Sequence, residues 1–130
     1  MFDFKTMATL ASAVTGMLCL VLLILPALIF WLFGIEGGAD AAFMSRRAGC
    51  LFLGIAVLLW CFRGAPLGDA QKGVCLAVSA MMSALAVLGL VEFLRGAAGY
   101  GIWLAIFAEV GFSTAFGLLW WRQKDHGNKA

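Results

Sequence analysis

Apolar side chains follow one another without a polar break over residues 18–25 and again over 50–59, and both runs sit inside longer windows nearly free of charge. Four such windows are legible, at 7–33, 47–62, 74–94 and 102–121. A helix needs about 20 apolar residues, within a range of about 17–25, to cross a hydrocarbon core about 30 Å thick. Transmembrane β-strands would instead read as roughly 10-residue segments of alternating polarity, which the unbroken runs contradict. In lipid, each backbone polar group must be paired within its own helix or in a closed barrel, so the windows predict helices. Short connections place consecutive helices antiparallel. The expected fold is therefore an all-α membrane protein: one transmembrane domain over residues 1–130, with four helices in an up-down-up-down bundle and a short polar C-terminal tail at 122–130.

Composition narrows the class further. Of 130 residues, 64% are hydrophobic and 12% charged, against about 45–50% and about 25% in ordinary soluble domains. The mean hydropathy is +1.01. A soluble domain of this size has no interior large enough for so much apolar surface. The first apolar segment is also far longer than the signal-peptide core of about 7–15 residues. Although Ala39, Asp40 and Ala41 have the small-x-small form of a cleavage site, the segment is expected to be retained.

Orientation follows from the positive charges, which are kept on the cytoplasmic side near helix ends. With four spans both termini share one face, and that face carries Lys5, Arg63, Lys72, Arg122, Lys124 and Lys129. The other carries Arg46, Arg47 and Arg95. Both termini are thus expected to be cytoplasmic, in a multi-pass protein of the cell (cytoplasmic) membrane. Trp60, Trp120 and Trp121 fall at the cytoplasmic edge, and Trp31, Tyr100 and Trp103 at the opposite one, as interfacial aromatic belts do. The basic residues Arg122, Lys124 and Lys129 suit anionic lipid headgroups but are too sparse for nucleic acid.

The connections are short. Residues 34–45 are acidic first, with Glu36 and Asp40, and lead into Arg46 and Arg47; they are expected to lie on the membrane surface. Residues 63–73 contain Gly64, Ala65 and Pro66, then Gly68 and Asp69, and Asp69 is placed to cap the third helix. Gly96, Gly99 and Gly101 predict a tight hairpin before the fourth.

Between helices in lipid, close approach at small residues and scattered polar contacts replace the hydrophobic drive. Candidate faces are Ala8, Ser12, Thr15, Gly16 and Cys19 in the first span, and Cys50 and Gly54 in the second. The third offers Ala80 and Ala84, and the fourth Ala105, Ser113 and Gly117. Pro26 predicts a kink or tilt late in the long first span.

Glu109 is the leading candidate for function. It shares a helical face with Ala105, Ser113 and Gly117, since residues four apart stack on one side, and so should face helices. An ionised carboxylate in mid-membrane costs at least about 2.5–3.5 kcal/mol on insertion scales, so the neutral acid is expected there. Ser83 and Ser113 are its expected hydrogen-bond partners, with Ser79 and Thr15 behind them. Glu109 then reads either as a proton or cation relay or as an acid that pins helix register. Glu92 stands three residues before Arg95, a spacing that permits a local ion pair.

Cys19, Cys50, Cys61 and Cys75 form no Cys-x-x-Cys pair. Cys50 and Cys61 share a helical face but lie roughly 16 Å apart along the axis, beyond disulfide reach. The one histidine, His126, is in the polar tail, so no imidazole is expected in the spans to ligate a haem or to serve a nucleophile. No phosphate loop, zinc spacing or pair of intramembrane acids is present. The expectation is a protein without cofactor or metal and without enzymatic activity.

Four spans in little over a hundred residues with a membrane-embedded Glu resembles the small multidrug resistance transporters, which work as dimers exchanging protons for cationic drugs. The resemblance is one of architecture. In that family the essential acid is on the first helix, whereas Glu109 is on the last, so no site residue carries over. Residues 26–34, with 45–49 opening the second span, also loosely resemble small uncharacterised four-helix proteins of bacterial cytoplasmic membranes. The function expected first is that of a structural, assembly or regulatory subunit packing laterally against a larger membrane complex or itself, with Glu109 or Glu92 fixing register. The alternative is an oligomeric proton-coupled carrier or channel in which Glu109 titrates.

Overall fold

The computed structural model describes residues 3–66 and 68–127, the side chains of 124–127 excepted. Lys129 and residues 128–130 of the expected tail lie outside the described residues, as do the side chains of Lys124 and His126. The described chain is all-helical, with α1 Phe4–Ile24, α2 Pro26–Phe33, α3 Ala39–Phe62, α4 Asp69–Leu94 and α5 Ile102–Gly127. Four of these, α1, α3, α4 and α5, are long and apolar enough to cross a membrane.

The first apolar window holds two helices rather than one kinked helix. Proline lacks an N–H and disfavours helical geometry in the residue before it. Leu25 accordingly leaves the helix at φ −130°, ψ 54°, and Pro26 opens α2 at its first position, where the missing N–H is no loss. Gly34 ends α2 in the left-handed region at φ 63°, and the N–H of Ile35 returns to the Phe30 carbonyl at 2.9 Å.

Helix α3 begins at Ala39, inside the segment expected to be a surface loop. Gly38 precedes it in extended conformation and Asp40 lies in its first turn, where a negative charge meets the positive end of the helix dipole. Its 24 residues reach roughly 36 Å at 1.5 Å per residue, longer than a hydrocarbon core of about 30 Å is thick. At α4 the expected cap is corrected: Gly68 is the N-cap and no side chain bonds there. Asp69 is instead the first helical residue, paired with Lys72 at 3.6 Å. Residues 122–127, expected as a polar tail, continue α5.

The helices associate as two pairs. α1 packs along α3 and α4 along α5, and the pairs meet mainly through α1 and α5, with α2 resting on α1 and α3. One core unites all four long helices where α1 and α4 begin and α3 and α5 end: Phe4, Met7, Ala8 and Ala11 close on Leu59, Cys75, Val78, Met82, Phe116 and Leu119. Phe4 meets Phe116 edge to face. Toward the other end a smaller cluster of Ala98, Ile102 and Ile106 packs against Phe33, Phe93 and Trp103.

Small residues set both pair interfaces, but not all those expected. The Ser12 hydroxyl donates to the Ala56 carbonyl at 2.7 Å, and a β-carbon on Gly49 would press on Leu22, Leu23 and the Cys19 carbonyl. Gly89 similarly admits Ile106 to the backbone of α4, and Gly117 faces the Ser79 hydroxyl. Cys50 and Gly54 on α3, and Ala80 and Ala84 on α4, instead point outward and are exposed. One residue of offset turns the face by about 100°, which separates Gly49 from Cys50 and Ser79 from Ala80.

Candidate functional site: the Glu109 cavities

Glu109 stands two turns into α5, half-buried, at the seam between the helix pairs. It lines two adjoining cavities. The larger, about 440 Å³, is walled by α1, α2, α4 and α5 through Thr15, Leu28, Met82 and Phe112, with Phe52 of α3 at its side. The smaller, about 370 Å³, extends toward the loop between α4 and α5 and is bounded by Glu92, Ala98 and Ile102. Phe33, Leu85, Ala105 and Glu109 belong to both walls. The cavities exist because the end of α2 and the 96–101 loop hold the pairs together beyond them while the core holds them on the other side.

The expected partners of Glu109 bond elsewhere. Ser83 and Ser113 place their hydroxyl oxygens 2.6 Å apart. Ser79 donates to the Ser113 carbonyl at 3.0 Å, and Ser113 reaches the Ser79 carbonyl at 3.1 Å. Thr15 donates to the carbonyls of Ala11 and Ser12 on its own helix. Serine and threonine hydroxyls find backbone carbonyls close at hand in a helix, and in lipid those carbonyls are strong competitors for them. Among the described residues no group donates a hydrogen bond to the Glu109 carboxyl.

Glu92 and Arg95 form an ion pair at 3.2 Å, with Arg95 largely exposed. The pair closes the last turn of α4, beside Gly96 in the left-handed region at φ 75°. The wall around Glu109 thus presents one carboxyl group among side chains that are apolar except for Thr15, whose hydroxyl is bonded to its own helix, with a second, paired carboxylate at the outer rim. A carboxyl group so placed can accept a hydrogen bond or, when ionised, pair with a cation.

Cys19 and Cys75 are buried and Cys50 and Cys61 exposed, all as free thiols. No group of three metal-ligating side chains occurs among the described residues. Three buried polar side chains stand outside the expected site residues. Ser45 has an unpartnered hydroxyl oxygen, and Gln71 and Gln123 have unpartnered amide oxygens. The signal available in the sequence was that these are the chain's two glutamines, one at the start of α4 and one near the end of α5. Compared with protein-family models, curated proteins and solved structures, the chain matches none.

Proposed function

We propose that this chain is a multi-pass protein of the cytoplasmic membrane, with helices alternating in direction and both termini in the cytoplasm. In this reading it acts without bond-making, as a structural, assembly or regulatory subunit that docks laterally against a larger membrane complex or its own copies. The observation carrying this reading is the pair of small-residue faces that the chain leaves open. On α3, Cys50 and Gly54 are exposed, and a β-carbon added to Gly54 would meet nothing. On α4, Gly73, Ala77, Ala80 and Ala84 repeat the pattern and are likewise exposed. Small residues let helix backbones approach closely, which is how helices associate where lipid removes the hydrophobic drive. The test is extraction in mild detergent followed by identification and stoichiometry of what co-purifies. Wild type should hold a stoichiometric partner or a second copy, and Gly54→Leu or Ala80→Leu should release it. A wild-type monomer with no companion ends the reading.

A second reading has one observation of its own. The carboxyl of Glu109 lies in an apolar cavity with no donor from the described residues, which is where a titrating group of a proton-coupled carrier or channel would stand. Glu109→Gln separates the two. A proton relay loses flux in proteoliposomes, whereas a residue that only fixes helix register tolerates the neutral isostere.

A further inference from the structure

Where α1 and α4 begin and α3 and α5 end, a cleft of about 440 Å³ draws side chains from all four long helices and their flanks. Lys5 comes from the first turn of α1, Arg63 from the C-cap of α3, Gln71 from the start of α4, and Arg122 and Gln123 from α5. Among the described residues, one carboxylate, Asp3, stands against three cations there. Arg63 is fixed in place: its guanidinium donates to the Trp60 carbonyl at 3.3 Å and lies 3.3 Å from the centroid of the Trp60 ring.

The two glutamines are what distinguish this cleft from a scatter of basic side chains. Gln71 is 4% exposed and Gln123 8% exposed. Among the described residues neither amide oxygen has a hydrogen-bond partner, and the Gln123 amide nitrogen reaches only the Cys75 sulfur, at 4.0 Å. Buried amide oxygens left unpaired are costly and uncommon, so an occupant that brings a hydrogen-bond donor, such as a hydroxyl, is the natural completion. An amide can turn either its oxygen or its NH2 inward, and so can accept from a hydroxyl or donate to an anion.

We infer that this cleft binds a phosphate oxyanion, with Lys5, Arg63 and Arg122 meeting its charge and Gln71 and Gln123 bonding its oxygens or the hydroxyls esterified to it. Guanidinium forks and ammonium groups are the side chains suited to phosphate. The phosphate arrives on a lipid headgroup, to which a cleft at the helix ends is adjacent, or as a free anion. The inference is independent of how Glu109 is used.

The experiment is a titration of the full chain in mild, phosphate-free detergent, read by native mass spectrometry and tryptophan fluorescence. Three probes are compared: short-chain phosphatidylglycerol, phosphatidylcholine of the same chain length, and inorganic phosphate. One phosphatidylglycerol should bind per chain, at least tenfold more tightly than phosphatidylcholine. Arg122→Gln should weaken it about fivefold, the scale of one interfacial cation, and Gln71→Glu should weaken it at least as much. Lys72→Gln, which removes a cation paired with Asp69 outside the cleft, should leave it unchanged. If inorganic phosphate saturates the cleft and displaces the lipid, the site stands and its ligand is the free anion. If phosphatidylcholine binds equally well, or neither anion binds, or Lys72→Gln weakens binding as much as Arg122→Gln, the inference is overturned. Melting temperatures without ligand verify that each variant is folded, and Gln71→Glu decides the matter should Arg122→Gln not fold.

Discussion

The hydroxyl oxygens of Ser83 and Ser113 lie 2.6 Å apart across the α4–α5 interface. With Ser79 they form a polar seam in an otherwise apolar contact, and each hydrogen bond of this kind in a membrane averages about 0.6 kcal/mol, up to about 1.7. Ser113 takes part in all of its bonds. Ser113→Ala should therefore lower stability by about 1–2 kcal/mol in a reversible detergent-denaturation titration, and Ser83→Ala by about half as much. Equal stability of Ser113→Ala and wild type would remove the seam from the account of this interface.

Glu109 should behave in the opposite sense. Its carboxyl lies among hydrocarbon with no donor from the described chain, so an apolar residue of similar size relieves a desolvation cost. In the isolated monomer, Glu109→Leu is expected to raise stability, by on the order of 1–3 kcal/mol. A loss of stability in the same titration would reveal a partner for the carboxyl and contradict the geometry described above.

The glycines of α3 should separate cleanly. A β-carbon on Gly49 would sit 3.1 Å from Leu23 and 3.3 Å from the Cys19 carbonyl, while one on Gly54 meets nothing within 4 Å. Gly49→Leu should split α1 from α3 at a cost of about 1–3 kcal/mol or more. Gly54→Ala should be neutral or stabilising by about 0.5–1 kcal/mol in the monomer, through helix propensity alone. Unfolding titrations of the two variants side by side test this ordering.

Thiol accessibility offers an independent measurement. Cys50 and Cys61 are exposed and Cys19 and Cys75 buried. A small membrane-permeant maleimide should attach to Cys61, near the end of α3, in the folded chain, and to all four cysteines only after denaturation. Rapid labelling of Cys75 before unfolding would contradict the packing of the main core.

The four long helices were legible because their windows are long, apolar and almost free of charge. Helix facing was legible only in part. In lipid, outward and inward faces are both apolar, so hydropathy does not tell Cys50 and Gly54 from Gly49 and Ala56, or Ala80 and Ala84 from Ser79 and Val78. Pro26 announced a deviation, but the full break at Leu25 depends on the backbone angles of that residue. Glu109 was placed on an inner face by four-residue stacking with Ala105 and Ser113. Its lack of a partner was not legible, because a serine one turn away on a neighbouring helix is equally near to a carbonyl. Gln71 and Gln123 were not legible as a site, since polar residues at helix ends are ordinary until tertiary structure brings two of them into one cleft.

The loop between α4 and α5 grips the far end of α2. The Gly99 N–H donates to the Phe33 carbonyl at 2.5 Å, and Gly101 lies so near the Leu32 carbonyl that a side chain there would overlap it. Opposite, the aromatic and aliphatic core from Phe4 to Leu119 fastens the same two pairs. The molecule is a split beam bolted at both ends, and the hollow beside Glu109 lies at its midspan.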